Sequence, residues 1–290
     1  MESPLFWSSL YCTINGQSKI ESTFDFGTES HEFHFIYDIN KASLKSPGRA
    51  TFGGIWISAG IPTHNYFINL YQSLFEQLRI VDQINVTLPP EYFFPEIFLN
   101  QSKALEACGF EKKYTDHNFH IDLPQWTPAN LSKGNRKKIR QFADAGGEIV
   151  LGSDIDFAIA YEVLRKNREN RGVKISMDRE KFIKNIFEFP GNYKIYLAKV
   201  KSEIAAVAYV VRLSDQVNYV LFWGDDIKFR HLSPVASLLK FLISVSREEG
   251  CKVLDLGISS VDGVLDEGLA RFKSNLGAIE TFKPTYSSYR

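Results

Sequence analysis

Cysteine is scarce in this chain. Only Cys12, Cys108 and Cys251 occur in 290 residues, far apart and without metal-ligand spacing. That excludes a disulfide framework and a cysteine-built metal centre, and it suits buried free thiols. Net charge is absent as well, since 34 Lys and Arg balance 34 Asp and Glu. No global field therefore draws nucleic acid or an anionic membrane, although a local patch stays open. Long apolar runs are missing, and Met1–Ser9 has no basic leader region. The expectation is a cytoplasmic protein without a membrane span. The six histidines show no metal spacing: His31, His34, His117 and His120 fall in strand-like contexts, and His231 alone lies in a candidate site loop. No metal is expected, and no Cys–His or Ser–His–Asp arrangement emerges.

What the sequence does hold is an ordinary globular balance, 44% hydrophobic and 23% charged, at a length that more often makes two domains than one. Its 23 Phe and 13 Tyr are mostly core packing. Pro4, Phe6 and Trp7 look like a packed arm, and residues 10–60 read as β-rich, with strands at His31–Tyr37 and Gly53–Ile57. The small-residue loop Ser46–Gly54 would let main chain approach a ligand, or serve as a connector. Then come helix Thr63–Val81, strand Gln83–Leu88, helix Pro95–Cys108 closed by Gly109, and strand Asn118–Leu123. The stiff joint Pro124–Pro128 marks the boundary, giving domains 1–124 and 125–290.

Beyond the joint, periodicity predicts helix Asn130–Ala145, strand Glu148–Leu151 and helices Ile155–Asn170 and Asp178–Phe189. A three-strand meander follows, Lys194–Val200, Ile204–Leu213 and Val217–Trp223. A loop with Arg230, His231, Ser233 and Pro234 leads to a helix that Gly250 stops, then strand Lys252–Leu256, the loop Gly257–Gly263 and helix Leu265–Leu276. The first half repeats helix, strand, helix, strand in weaker form, so the chain reads as two related α/β halves, the first degenerate.

The run LDLGISSVDGVLDEGLARFKSNLGA (residues 254–278), after a helix led by Ser233-Pro234, resembles the C-terminal module of Fem-like proteins in the GNAT superfamily of N-acyltransferases. These are the peptidoglycan-bridge aminoacyltransferases and their relatives. Gly268-Leu269-Ala270-Arg271-Phe272-Lys273, with Gly277 beyond it, is the most specific part. The resemblance implies an α/β fold of tandem GNAT-like domains, each a mixed sheet with flanking helices. It also implies transfer of an acyl or aminoacyl group to an amine of a cell-envelope or polysaccharide precursor. Aminoacyl-tRNA or acyl-CoA would be the cosubstrate, with no resident cofactor. The acceptor would be a small or nucleotide-linked amine. Transfer RNA, if used, would meet the globular surface, because the coiled-coil arm of some bridge enzymes is missing.

The resemblance makes Lys273 the lysine of the transfer site, where a cation can stabilise the tetrahedral oxyanion. Phe272 accompanies it. Arg168 and Arg171, after Asn167, match the helix end that faces the cleft in the family and can grip diphosphate. The residues themselves add Asp255, which can position an amine, orient Lys273 or cap the next turn. Asp225 is a candidate proton acceptor, though Asp225-Asp226 equally reads as a solvated turn. Tyr219 and Trp223 are candidate substrate contacts near the same strand end. Acyl-CoA enzymes of the superfamily carry Arg/Gln-x-x-Gly-x-Gly/Ala before the pyrophosphate-binding helix. The corresponding stretch here runs from Arg230 through Ser233-Pro234-Val235, where Pro234 lacks an N–H. Residues 133–184 hold thirteen Lys and Arg against eight Asp and Glu, a local +5 suited to a phosphorylated ligand or to solvated helix faces. Two rival readings stand beside the Fem-like one: an acyl-CoA-dependent GNAT N-acetyltransferase, and a catalytically inactive GNAT-like binding module.

Overall fold

Turn glycines and alternating apolar residues divide the chain into short elements. A computed structural model describes residues 3–289 apart from 27, 28, 41, 59, 61, 79 and 80. It begins with α1 (Ser9–Asn15), β1 (Ser18–Phe26), β2 (Glu29–Asn40), β3 (Ser43–Ser46) and β4 (Ile55–Ile57). Next are α2 (His64–Gln77), β5 (Gln83–Thr87), α3 (Pro95–Ala107) and β6 (Glu111–Asp122). Then come α4 (Lys133–Asp144), β7 (Gly147–Leu151), α5 (Asp154–Glu169), α6 (Arg179–Glu188), β8 (Tyr193–Val200), β9 (Glu203–Ser214) and β10 (Val217–Asp225). A 3-10 turn, Ile227–Leu232, precedes α7 (Pro234–Glu248) and β11 (Val253–Ile258). The hairpin β12 (Ser260–Val261) and β13 (Val264–Leu265), then α8 (Glu267–Ser274) and β14 (Ile279–Tyr289), complete it. Among the described residues, no helix is long and apolar enough to cross a membrane.

Two compact units result, and they are not separated by one cut at 124/125. Unit 1 comprises residues 1–118, 258–266 and 281–290; unit 2 comprises 119–257 and 267–280. The late segments join unit 1 through hydrogen bonds: β14 pairs antiparallel with β5 from Thr285↔Thr87 to Tyr289↔Gln83. In the hairpin, Ser260 Oγ and Gly263 N both donate to Asp116 Oδ1.

In unit 1 the strand order is β1-β2-β3-β5-β14-β6, with β4 on β2. β3 and β5 run parallel and the other registered pairs antiparallel, so the sheet is mixed. The predicted apolar face of α2 (Phe67, Leu70, Leu74, Phe75 and Leu78) is buried against Leu44, Ile84, Val86 and Leu105. In the Ser46–Gly54 loop, Gly54 N donates to Ser46 Oγ, and a Cβ on Gly54 would sit 2.8 Å from Leu88. The start is more structured than a packed arm, since Ser8 caps α1 by accepting from Tyr11 N.

In unit 2 the order is β6-β11-β10-β9-β8-β7, counting only Phe119–Asp122 of β6. β10 and β11 are parallel and the meander is antiparallel. β9 lies in the middle and is buried on both faces from Ala205 to Val211, hence its unbroken apolar run. Leu238, Leu239, Leu242 and Ile243 of α7 pack on one face. α5 and α6 cover the other through Tyr161, Phe182 and Tyr209. A capping box starts α5: Asp156 Oδ2 accepts from both N and Oγ of Ser153. The cysteines are free, and burial raises the thiol pKa of each.

Candidate active site

Parallel β10 and β11 register over only three pairs, Val217↔Val253, Asn218↔Leu254 and Tyr219↔Asp255, and then part. β10 bends away at an irregularity between Val220 and Phe222, keeping β9 as its partner to Asp225. α8 brings Lys273 to this opening. The end of α8 is fastened by the segment leading into α4. Ser132 N and Asn135 Nδ2 donate to Asn275 O, and Trp126 Nε1 donates to Leu276 O. Gly277 is required there: its φ is +84°, and a Cβ would lie 2.6 Å from Asn130 Cβ.

Lys273 is only 1% exposed. Its Nζ donates to Gly257 O at 2.8 Å and lies 5.6 and 6.0 Å from the ring centroids of Phe119 and Trp223. Phe272 packs on Trp223 with centroids 5.3 Å apart. A buried ammonium among aromatic rings is poorly solvated, so its field on a neighbouring oxyanion is little screened.

Asp255 is fully buried, between Leu254 and Leu256 of the core. Its Oδ1 accepts from Gly257 N at 2.7 Å. It thus caps the turn and, through the main chain of Gly257, fixes the carbonyl that holds Lys273. Gly257 has φ +75°, and a Cβ there would lie 3.3 Å from Tyr219 Oη. Beside them is a residue the sequence reading placed only as core or surface, His120. Burial lowers its pKa, against the raising effect of the Asp255 and Asp122 carboxylates. The signal was obscured because β6 begins at Glu111 and its first half lacks apolar alternation.

Asp225 and Asp226 are not a solvated pair. Asp225 is buried, and its carboxylate accepts from Asn167 Nδ2 at 2.7 Å and from Arg230 Nε and Nη2, each at 3.2 Å. Arg230 is raised by that hydrogen bonding and charge. Asn167 also donates to Asp225 O, an approach open because residue 224 is glycine: a Cβ there would be 2.7 Å from Asn167 Cγ. Asp226 caps the 3-10 turn through Lys228 N. Ser233, at φ +49°, precedes Pro234 at N1 of α7. Ser233 N donates to Arg230 O and Ala236 N to Ser233 O. Two main-chain donors of this loop are therefore engaged internally, and Pro234 supplies none. His231 is exposed.

Arg168 stacks over Phe222 at 5.7 Å, and its pKa is lowered by burial and by Arg171, with Tyr219 opposing. Arg171 is exposed just past α5. Lys273, Phe272, Trp223, Asp255 and Tyr219 thus gather where β10 and β11 part. Arg168 joins through Phe222 and Tyr219, whereas Arg230 and Ser233 belong to the Asp225 network and the α7 start.

Residues 129–274 match the family described as Acetyltransferase (GNAT) domain. No curated protein matches the sequence. Among solved structures the chain is similar to FemX, at 11% identity and a TM-score of 0.74, covering 99% of this chain and 92% of that one. It is also similar to L-PGS from Bacillus licheniformis (12%, TM-score 0.58, covering 92% and 83%). A tandem GNAT protein from the clavulanic acid biosynthesis pathway is a third relative in fold (11%, TM-score 0.56, covering 94% and 83%). At such identities the likeness is one of fold: tandem GNAT-like domains, Fem-like, the first degenerate.

Proposed function

From the premise that the chain belongs to the GNAT acetyltransferase-domain family, we propose that it transfers an acyl or aminoacyl group to an amine of a cell-envelope or polysaccharide precursor. The observation that carries this reading is the burial of Lys273 at the parting of two parallel strands. The amine nitrogen attacks the acyl carbonyl carbon, and the carbonyl oxygen takes up the negative charge. The Lys273 ammonium stabilises that oxyanion, and collapse expels the donor's oxygen or sulfur. The amine must also lose a proton. Asp225 is bound to Arg230 and Asn167, so that role falls to His120, which burial holds towards its neutral form, beside Asp255.

An aminoacyl donor is favoured over coenzyme A by the start of α7, where Pro234 has no N–H and the N–H groups of Ser233 and Ala236 are engaged. Arg168 and Arg171 offer cations for a nucleotide-linked acceptor. The test is transfer from charged tRNA to amine-bearing envelope precursors, beside acetyl-CoA calorimetry on the wild type and Pro234→Gly. Transfer that Lys273→Ala lowers about 10²–10³-fold is expected. Micromolar acetyl-CoA binding by the wild type would replace the aminoacyl donor with acyl-CoA. Neither transfer nor binding would leave a binding module.

A further inference from the structure

We propose that unit 1 binds one divalent transition-metal ion of the zinc class through Glu21, Glu32 and His34, a site separate from acyl transfer and resting on none of its residues. Cross-strand register builds it. Glu21 of β1 lies directly opposite His34 of β2, and Glu32, two residues before His34, projects from the same face. The three donor atoms all lie within 4.8 Å of one another. His34 Nε2 is 3.5 Å from Glu21 Oε1 and 3.9 Å from Glu32 Oε2.

The histidine points to a ligand independently of the carboxylates. Its side chain is only 6% exposed, and neither ring nitrogen has a partner in full hydrogen-bonding geometry, although the main chain of Trp7 lies beside the ring. A buried polar group left so is costly unless something binds it. The ring is fixed by Trp56, its register partner on β4, with centroids 4.9 Å apart. Glu21 is oriented as well. Its Oε2 takes Lys19 Nζ at 2.6 Å and Ser9 Oγ at 3.4 Å, leaving Oε1 towards His34.

One imidazole and two carboxylates suit zinc, at bond lengths of about 2.0–2.2 Å and hence ligand–ligand edges of roughly 3.4 Å. The 3.5 Å edge fits already. The half-exposed glutamates, at 49% and 57%, are free to close the longer ones by rotamer change. Mg²⁺ and Ca²⁺ need six or more oxygens and do not fit. Spacing along the chain could not reveal this trio, because two adjacent strands supply it.

The test titrates the metal-free full chain with Zn²⁺ by calorimetry and with Co²⁺ by visible absorption, in the wild type, Glu32→Gln and His34→Ala. One ion per chain is expected, with tetrahedral Co²⁺ bands and a zinc-dependent rise in melting temperature. Glu32→Gln, at an exposed position, keeps the fold. It should weaken binding by more than the roughly 10–100-fold that losing an outer-shell partner costs. His34→Ala should abolish binding. No binding by the wild type, or affinity unchanged in Glu32→Gln, overturns the proposal even if His34→Ala fails to fold.

Discussion

Each unit buries a lysine, and the two lie ten residues apart in sequence. Lys283 on β14 of unit 1 is 7% exposed and donates to Thr51 O at 3.1 Å. Lys273 of unit 2 is 1% exposed and donates to Gly257 O at 2.8 Å. Depth and hydrogen bonding are alike; the settings differ. Lys283 sits within a strand whose next residues pair with β5. Lys273 stands where a strand ladder has opened, between aromatic rings. A buried cation is therefore not a site by itself. The difference between the two settings is the end of the β10–β11 pairing beside Lys273.

The sharpest way to break this comparison is to truncate both lysines. Lys273→Ala should lower turnover about 10²–10³-fold, whereas Lys283→Ala should leave turnover within a few-fold. Lys283→Ala should instead cost about 1–3 kcal/mol, because its carbonyl partner loses a buried donor. Single-turnover kinetics and chemical denaturation of the two proteins decide it. Equal kinetic losses would erase the distinction.

A smaller contrast comes from two glycines with left-handed backbone. Gly109→Ala in unit 1, at φ +83° with nothing within 4 Å of the new Cβ, should cost about 1–2 kcal/mol and no activity. Gly257→Ala, crowded by Tyr219 Oη at 3.3 Å, should also shift the carbonyl that holds Lys273. About a tenfold loss of turnover is expected, since misplacement of a reacting group is costly. Steady-state rates against melting temperatures separate the effects.

Unit 2 also contains buried charge outside the opening. Asp225→Asn should keep turnover within about threefold and cost no more than about 1 kcal/mol, because the Arg230 partner is 48% exposed. A collapse of activity at unchanged stability would make Asp225 the proton acceptor. Smallest is the acid response of Glu249. Burial raises its pKa, but Lys194 at 2.6 Å, Asn218 at 2.7 Å and Arg212 more than offset this, leaving it below the ordinary 4.5. Its contribution is present above that ordinary value and fades as pH falls through the lowered one. Glu249→Gln should flatten that part of the stability profile, by about 1 kcal/mol, as measured by urea unfolding between pH 3 and 6.

Elements with a strong period were legible in sequence: the buried face of α2, the meander β8–β10 and the α7 stripe all follow from local spacing. Gly268–Lys273 with Gly277 locates α8, although Leu265, the first residue of the periodic stretch, lies in β13 and the helix begins at Glu267. What spacing could not carry was register. The opposition of Glu21 and His34, and that of Tyr219 and Asp255, are products of strand pairing between distant segments. His120 stayed hidden for the same reason, its significance coming from Asp255 on another strand. Asp225-Asp226 misled because a local motif gave no sign of Asn167 arriving from α5.

The interleaved chain has a consequence for biosynthesis. The unit 1 part of β14, residues 281–289, closes that sheet by pairing with β5, yet it is translated after every residue of unit 2. While the ribosome makes unit 2, β5 lacks that neighbour and presents unpaired main-chain groups along one side. Unit 2 can condense first although it is encoded later, and the amino-terminal half waits for its closing strand. Vectorial synthesis thus leaves the amino-terminal unit without its closing strand until the later unit has been made, against the usual amino-first order.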